Sequence, residues 1–352
     1  MRAAVVGAGQ ISKQHLGALA ACKGVTIVGV CDISPVMAEA TAARFGIASW
    51  FTDYRRLLDE QRPDVVHILT PPATHFSIAK ECLECGTHIF VEKPITEDFA
   101  QLEELIAMAA GRGKVVVEDH NYRFNRDVQH MLRLVESGRV GEVRHVDIDL
   151  CLAIFGPGSR FTDMAAQRLG QVSTTGPVSE FLTHLCYLAH AFIGDHRRVS
   201  SAWRLSQQAC GPVVDNLQAL VEGDRGTARL GFSADSQPDR FTVRVQGTRM
   251  QVETNLFEVG VVQSQLLGGP KPLMPVRNMM RRGRAEWSNA ARSLRRKLGG
   301  GPGPYEGLWN LIRSYYDNLL RGVEPPVSTH ETLAVNRLFR DIVQEAPVPC
   351  AC

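Results

Sequence analysis

Four short runs carry residue types that can do chemistry. The first is Gly7-Ala8-Gly9-Gln10-Ile11-Ser12, which reads G-x-G-x-x-S between an apolar stretch and a helical pattern. In a dinucleotide fingerprint, Gly7 permits the tight turn and Gly9 lets the backbone approach a pyrophosphate. Gln10 and Ile11 open the helix whose N-terminus attracts that anion. The third glycine of the pattern allows close helix–strand packing; Ser12 stands there and is small. Alone, the run is equally a plain turn. Its context favours a dinucleotide, because Asp32 lies 20 residues past Ser12. It ends the next strand, where a carboxylate accepts from ribose hydroxyls. An acid there repels a 2′-phosphate, and Ile33-Ser34-Pro35 bring no basic residue, so NAD is favoured over NADP.

The second run is Thr70-Pro71-Pro72-Ala73-Thr74-His75 and the third is Glu92-Lys93-Pro94. Each follows a strand pattern, and ligands in open α/β sheets bind beyond the carboxyl ends of strands. Taken singly, one reads as a rigid turn and the other as a solvated charge pair. The fourth is Glu180 with His184, four apart and so on one helix face. An amphipathic surface pair fits that spacing as well as a catalytic one. Two ligands do not make a metal site, and Cys82-x-x-Cys85 has no second pair at zinc spacing, so no metal is expected.

The elements that would position these residues follow from periodicity. Up to residue 120 strands alternate with helices. The strands are Ala3–Val6, Thr26–Cys31, Val65–Leu69, His88–Val91 and Val115–Glu118. The helices are Ile11–Cys22, Pro35–Phe45, Phe76–Cys85 and Ala100–Ala110. That alternation predicts an α/β fold with a doubly wound parallel sheet over residues 1–120. Beyond it come a helix at Val128–Glu136, a strand at Val143–Leu152 and a helix near Val178–Phe192. Successive strands follow at Val213–Val221, Thr227–Ser233, Phe241–Gln246, Met250–Thr254 and Leu256–Val262. Helices at Tyr305–Arg321 and Thr329–Glu345 close the chain. Strands in succession predict an α+β domain over residues 121–352 with a largely antiparallel open sheet.

Gly7-Ala8-Gly9, Asp32, Thr70-Pro71-Pro72 and Glu92-Lys93-Pro94, at these spacings, resemble the Gfo/Idh/MocA family, the glucose–fructose oxidoreductase and inositol dehydrogenase relatives. The likeness continues through Asn121-Tyr122-Arg123-Phe124-Asn125 and Gly138-Arg139-Val140-Gly141-Glu142-Val143. The resemblance implies an NAD(P)-dependent dehydrogenase acting on a secondary alcohol of a sugar, cyclitol or nucleotide sugar. It implies Lys93 at the substrate hydroxyl beside the nicotinamide, and Tyr122, Arg123 and Tyr187 toward the substrate. Thr70, Pro71, Pro72, His75 and Glu92 would line the cofactor crevice. The family's G-G-x-x-x-D-x-G-x-H-x-x-D motif is matched by Gly176 to Tyr187, with Glu180 for the first acid, His184 kept and Tyr187 for the last. His184 then carries proton transfer, for which an imidazole with a reference pKa of about 6.5 is suited. Glu180 would orient His184 or bind a neighbouring hydroxyl. Which of Lys93 and His184 takes the proton stays open, and a catalytically silent NAD(H)-binding sensor or assembly protein is the alternative reading. A homo-dimer or tetramer is the expected assembly.

The 352 residues exceed one ordinary core, and their net charge of +2 gives no general reason to expect nucleic acid. No signal peptide or membrane span is legible, and nine scattered cysteines read as reduced thiols, so the cytoplasm is the expected compartment. One segment stands apart. Arg277–Lys297 holds seven Arg, one Lys and one Glu, a local +7, between glycine- and proline-rich flanks. Met280, Trp287, Ala291 and Leu294 recur there at helical spacing. Residues 277–298 read as an inserted basic amphipathic helix that could lie on an anionic membrane, dock on an acidic partner, or stay solvated.

Overall fold

The computed structural model describes residues 1–155, 177–208, 211–265, 271–299 and 303–346. The chain divides into two compact units, Met1–Asn121 with Gly307–Leu333, and Tyr122–Glu306 with Ala334–Cys352. In the first, strands β1 (Arg2–Val6), β2 (Thr26–Cys31), β3 (Trp50–Phe51), β4 (Val65–Ile68), β5 (His88–Val91) and β6 (Val116–Glu118) form one sheet in the order β3-β2-β1-β4-β5-β6. Every pairing in it is parallel. Helices α1 (Ser12–Ala21), α2 (Pro35–Phe45), α3 (Tyr54–Gln61), α4 (His75–Glu84) and α5 (Phe99–Gly111) connect the strands. Val65, Val66, Ile68, Ile89, Phe90 and Val91 are fully buried. Such continuous apolar runs are what a sheet covered on both faces requires. Helix α2 starts where Ser34 Oγ accepts from Met37 N–H at 3.4 Å, with proline in the first turn, and stops at Gly46 in the left-handed region.

The periodicity reading left 47–64 without elements. Strand β3 has two residues, too few to show alternation. Helix α3 buries only Leu57 and Leu58 in an otherwise polar run, and its start is marked by Asp53, whose side chain accepts from Arg55 N–H at 2.9 Å.

The second unit contains α6 (Arg126–Glu136), β7 (Val143–Cys151), α7 (Pro177–Ile193), β8 (His196–Gln208), β9 (Gly211–Gly223), β10 (Gly226–Ser233), β11 (Arg240–Gly247), β12 (Met250–Asn255), β13 (Val261–Gln265) and α8 (Met274–Gly299). Its sheet runs β13-β12-β11-β7-β10-β9-β8. The pairings are antiparallel except β7 with β10. Helix α7 lies on one face with Val178, Leu182, Leu185 and Phe192 buried. Leu220 is exposed, and Arg229 bridges Asp147 and Asp149. Two strand expectations need correction. Strand β8 was not anticipated, because its polar sequence hides the alternation of an edge strand. The last strand begins at Val261, not Leu256: Leu256 is buried but Phe257 and Glu258 are exposed in a turn that ends at Gly260, φ 111°.

Helices α9 (Glu306–Arg321) and α10 (Thr329–Val343) close the described chain. The split at residue 120 places residues 307–333 with the second domain; the structure packs them in the first unit. The cause is aromatic. Tyr315 and Tyr316 of α9 are fully buried, with Tyr315 edge-on to Phe90 at 5.6 Å and Tyr316 stacked on His67 at 5.9 Å. Among the described residues, no helix is long and apolar enough to cross a membrane.

Candidate functional site

Strand register sets the first cluster. Val6 pairs with Cys31 and with Ile68, Ile68 with Val91, and Val91 with Glu118. Gly7, Asp32, Leu69, Glu92 and Asp119 are thus each the first residue beyond a paired strand end, and they line one edge of the sheet. Strand β1 sits between β2 and β4, so the chain reverses its direction of winding there, where open α/β sheets bind ligands.

Gly7 has φ 103°, and a Cβ on it would lie 2.7 Å from the Leu69 carbonyl carbon, so only glycine fits. A Cβ on Gly9 would meet nothing within 4 Å. That open space is where a pyrophosphate would approach the backbone. Ser12 is fully buried and its Oγ donates to the Gly9 carbonyl at 2.6 Å, so the serine closes the loop internally. Ile11, expected within α1, is its N-cap; no side chain caps the helix and no acid occupies its first turn. Such an N-terminus suits an anion. Gln10 is exposed, its amide oxygen 3.3 Å from Lys13 Nζ. Asp32 is fixed by backbone donors, Ala8 N–H to Oδ2 at 2.7 Å and Ser34 N–H to Oδ1 at 2.8 Å. Each oxygen keeps a lone pair for a ribose hydroxyl. The residues present therefore fit a dinucleotide.

His75 ties the next two turns together. Its ring nitrogens lie 2.7 Å from the Thr70 carbonyl and 2.9 Å from the Pro94 carbonyl. Burial pushes its pKa below the usual histidine value despite those two acceptors. Thr70 Oγ1 accepts from Thr74 Oγ1 at 2.8 Å within the Pro71-Pro72 turn. His75 thus couples the Thr70 turn to the turn carrying Lys93.

Beneath Glu92 runs a chain of titratable side chains that sequence reading missed. Tyr316 Oη is 3.0 Å from His67 Nε2, His67 Nδ1 is 2.9 Å from His15 Nδ1, and His15 Nε2 is 3.2 Å from Glu92 Oε1. Burial drives the His67 pKa well down, with the neighbouring His15 adding to the effect. Burial also opposes charge on Glu92, but His15 and then Lys93 outweigh it and hold that carboxyl below its usual range. Asp119 is pushed well up by burial and by the charge on Glu92. Asp119 Oδ1 is buried without a hydrogen-bond partner among the described residues. His120 bridges Glu118 at 3.0 Å and Glu331 at 3.1 Å; these acids raise its pKa against its burial. One signal was available: His15 and His67 interrupt otherwise apolar buried faces. Nothing local, however, shows that they meet.

A second cluster lies in the other unit. His184 lies on α7, almost fully buried, with Nδ1 2.8 Å from Tyr187 Oη. Tyr187 Oη also accepts from Tyr122 N–H at 3.1 Å, and the Tyr122 ring stands edge-on to His184 at 5.0 Å. Tyr187, expected toward substrate, is fully buried, and its hydroxyl fixes the His184 ring. Glu180 is half-buried one turn before His184. The Arg123 guanidinium lies over the Phe124 ring at 5.3 Å. The structure thus gathers Gly7, Gly9, Asp32, Thr70, His75 and Glu92 in one unit, with Lys93, and gathers Tyr122, His184 and Tyr187 in the other.

Residues 1–120 match a family model described as an oxidoreductase family with an NAD-binding Rossmann fold. That model is the Gfo/Idh/MocA oxidoreductase family's, and the match covers about a third of the chain. The D-glucoside 3-dehydrogenase of Escherichia coli K12 is 33% identical over 144 residues, a match that spans 41% of the chain and 41% of that protein. Across nearly the whole length the likeness is one of fold. An oxidoreductase from Agrobacterium radiobacter, solved with NAD+, L-tartaric acid and magnesium, superposes with a TM-score of 0.78 at 15% identity, covering 98% of this chain and 96% of that one. The WlbA dehydrogenase of Bordetella pertussis, solved with NADH and UDP-GlcNAcA, gives 0.74 at 19% identity, covering 100% and 98%. The match over residues 1–120 agrees with the parallel sheet and the glycine loop found there.

Proposed function

We propose that the protein is an NAD-dependent dehydrogenase or reductase acting on a CH–OH group of a sugar, cyclitol or nucleotide sugar. One observation carries this reading: the strand register lines up Gly7, Asp32 and Glu92-Lys93 at the winding reversal of the parallel sheet. The D-glucoside named for one relative and the UDP-GlcNAcA bound to one structural neighbour support the substrate class. Asp32 favours NAD over NADP, since its carboxylate would repel a 2′-phosphate.

NAD(H) supplies the hydride acceptor or donor when bound. Lys93 donates a hydrogen bond to the reacting oxygen and favours its alkoxide character. His184 exchanges the hydroxyl proton, with its ring held through Nδ1 by Tyr187. Glu92, held below its usual carboxyl range, places a negative charge that attracts Lys93. Homo-dimer or tetramer formation across the open sheet face belongs to the same reading.

A panel of polyols, aldoses and nucleotide sugars, followed by NADH absorbance, tests this. Turnover of at least one class, lost in Lys93→Ala, is the expected result. Tight NADH binding by calorimetry with no turnover of any class would sink it.

A further inference from the structure

Helix α8 points its two sides at different chemistry. Arg282, Glu286, Asn289 and Ser293, spaced at four, three and four residues, face the end of the second sheet. Arg282 Nε donates to Glu286 at 2.9 Å and its guanidinium reaches Glu253 of β12 at 4.0 Å. Asn289 lies against Gly260, and the helix packs along β13. About 120° round the helix from this row run Val276, Met280, Trp287 and Leu294. All four are exposed, Trp287 by 79% and Met280 by 61%. Beyond them again run Arg277, Arg284 and Arg295, also exposed.

We propose that this face of α8 is a docking surface for a lipid bilayer bearing anionic headgroups. An apolar stripe with a tryptophan at its middle, bordered by arginines along its length, is the pattern of a helix lying in a membrane interface. The stripe enters the acyl boundary while the arginines meet phosphates, and the row facing the sheet keeps the helix attached to its domain. Charge decides between occupants. The segment carries +7 while the rest of the chain carries −5, given the total of +2. Its single acid, Glu286, already holds Arg282. A second copy of the same face would set arginine rows against each other, which costs energy, whereas an anionic surface is complementary. An acidic protein would satisfy the arginines; a stripe about five turns long with large side chains held in water fits a bilayer better.

The test uses the full chain with sedimenting vesicles of phosphatidylcholine alone or mixed with phosphatidylglycerol. The intact protein pellets with the mixed vesicles at low salt, stays in solution with the neutral ones, and is released as salt rises. Trp287→Ser with Leu294→Ser, both exposed and so neutral for folding by circular dichroism, lowers the bound fraction on the order of tenfold, as does Arg284→Glu with Arg295→Glu. The proposal is overturned if the intact protein stays in solution with anionic vesicles at low salt. It is overturned in favour of an acidic protein if Trp287→Ser with Leu294→Ser leaves vesicle binding unchanged while polyglutamate competes fully. It is overturned in favour of self-association if that double variant turns a dimer into a monomer in sedimentation velocity.

Discussion

The strand-end cluster of the first unit and the α7 cluster of the second hold their polar groups by different means. In the first, backbone holds the groups nearest the glycine loop, Asp32 accepting from two backbone N–H groups and His75 sitting between two carbonyls, while the histidine chain holds Glu92 from beneath. In the second, side chains hold one another, His184 by Tyr187 and by the edge of Tyr122. Backbone geometry is set by the sheet, so Asp32 and His75 depend little on neighbouring side chains. The second depends on each partner: Tyr187 Oη holds the His184 ring and the Tyr122 ring stands against it. The comparison teaches that a sheet edge can fix a polar group through the backbone alone, whereas a helix face needs partner side chains to do it.

The largest expected effect tests whether both clusters act in one reaction. Lys93→Ala and His184→Ala should each lower turnover by about 10²–10⁴-fold while NADH binding, measured by calorimetry, is kept. Near-normal turnover in either variant removes that residue from the chemistry.

The next separates backbone-held from side-chain-held groups. Asp32→Ala removes a ribose acceptor without removing a strand, so NAD affinity should fall by about ten- to a hundredfold and NADP affinity by less. Equal losses for the two cofactors, again by calorimetry, would show that Asp32 does not read the ribose.

Tyr187→Phe probes the other side of the contrast. It removes the hydroxyl that accepts from Tyr122 N–H and frees the His184 ring. A loss of about 1–3 kcal/mol in denaturant unfolding is expected, along with a displaced pH–rate profile. Lost stability with an unmoved pH profile would mean that Tyr187 only packs.

The smallest effect concerns pH. Burial lowers the folded-state pKa of both His67 and His75 below the unfolded value of about 6.5. Below that pH the unfolded chain binds the extra protons, so stability falls as pH drops from about 6.5 toward the folded values. His120 has the opposite sign: its raised pKa contributes stability below about 6.5 that is lost as pH rises through the folded value. Melting temperature should therefore decline from pH 7 to 5.5, and His120→Gln should steepen the decline. A flat profile would mean that His67 and His75 are not held neutral.

Sequence alone determined what depends on neighbours along the chain. Gly7, Gly9 and Asp32 are legible because a tight turn, an open approach and a strand-end acid each need one residue type at one spacing. The parallel and antiparallel sheets are legible because alternation with helices, or its absence, is a local pattern. The amphipathic character of residues 277–298 is legible for the same reason. Tertiary structure decided what depends on residues far apart. His15, His67 and Tyr316 form one chain only because β4 brings its histidine between α1 and an α9 that lies more than two hundred residues later. It decided that residues 307–333 pack in the first unit, since two buried tyrosines find Phe90 and His67 there. It also decided which side of α8 meets the sheet. Helical spacing fixes which residues share a stripe, but only packing fixes which stripe is covered.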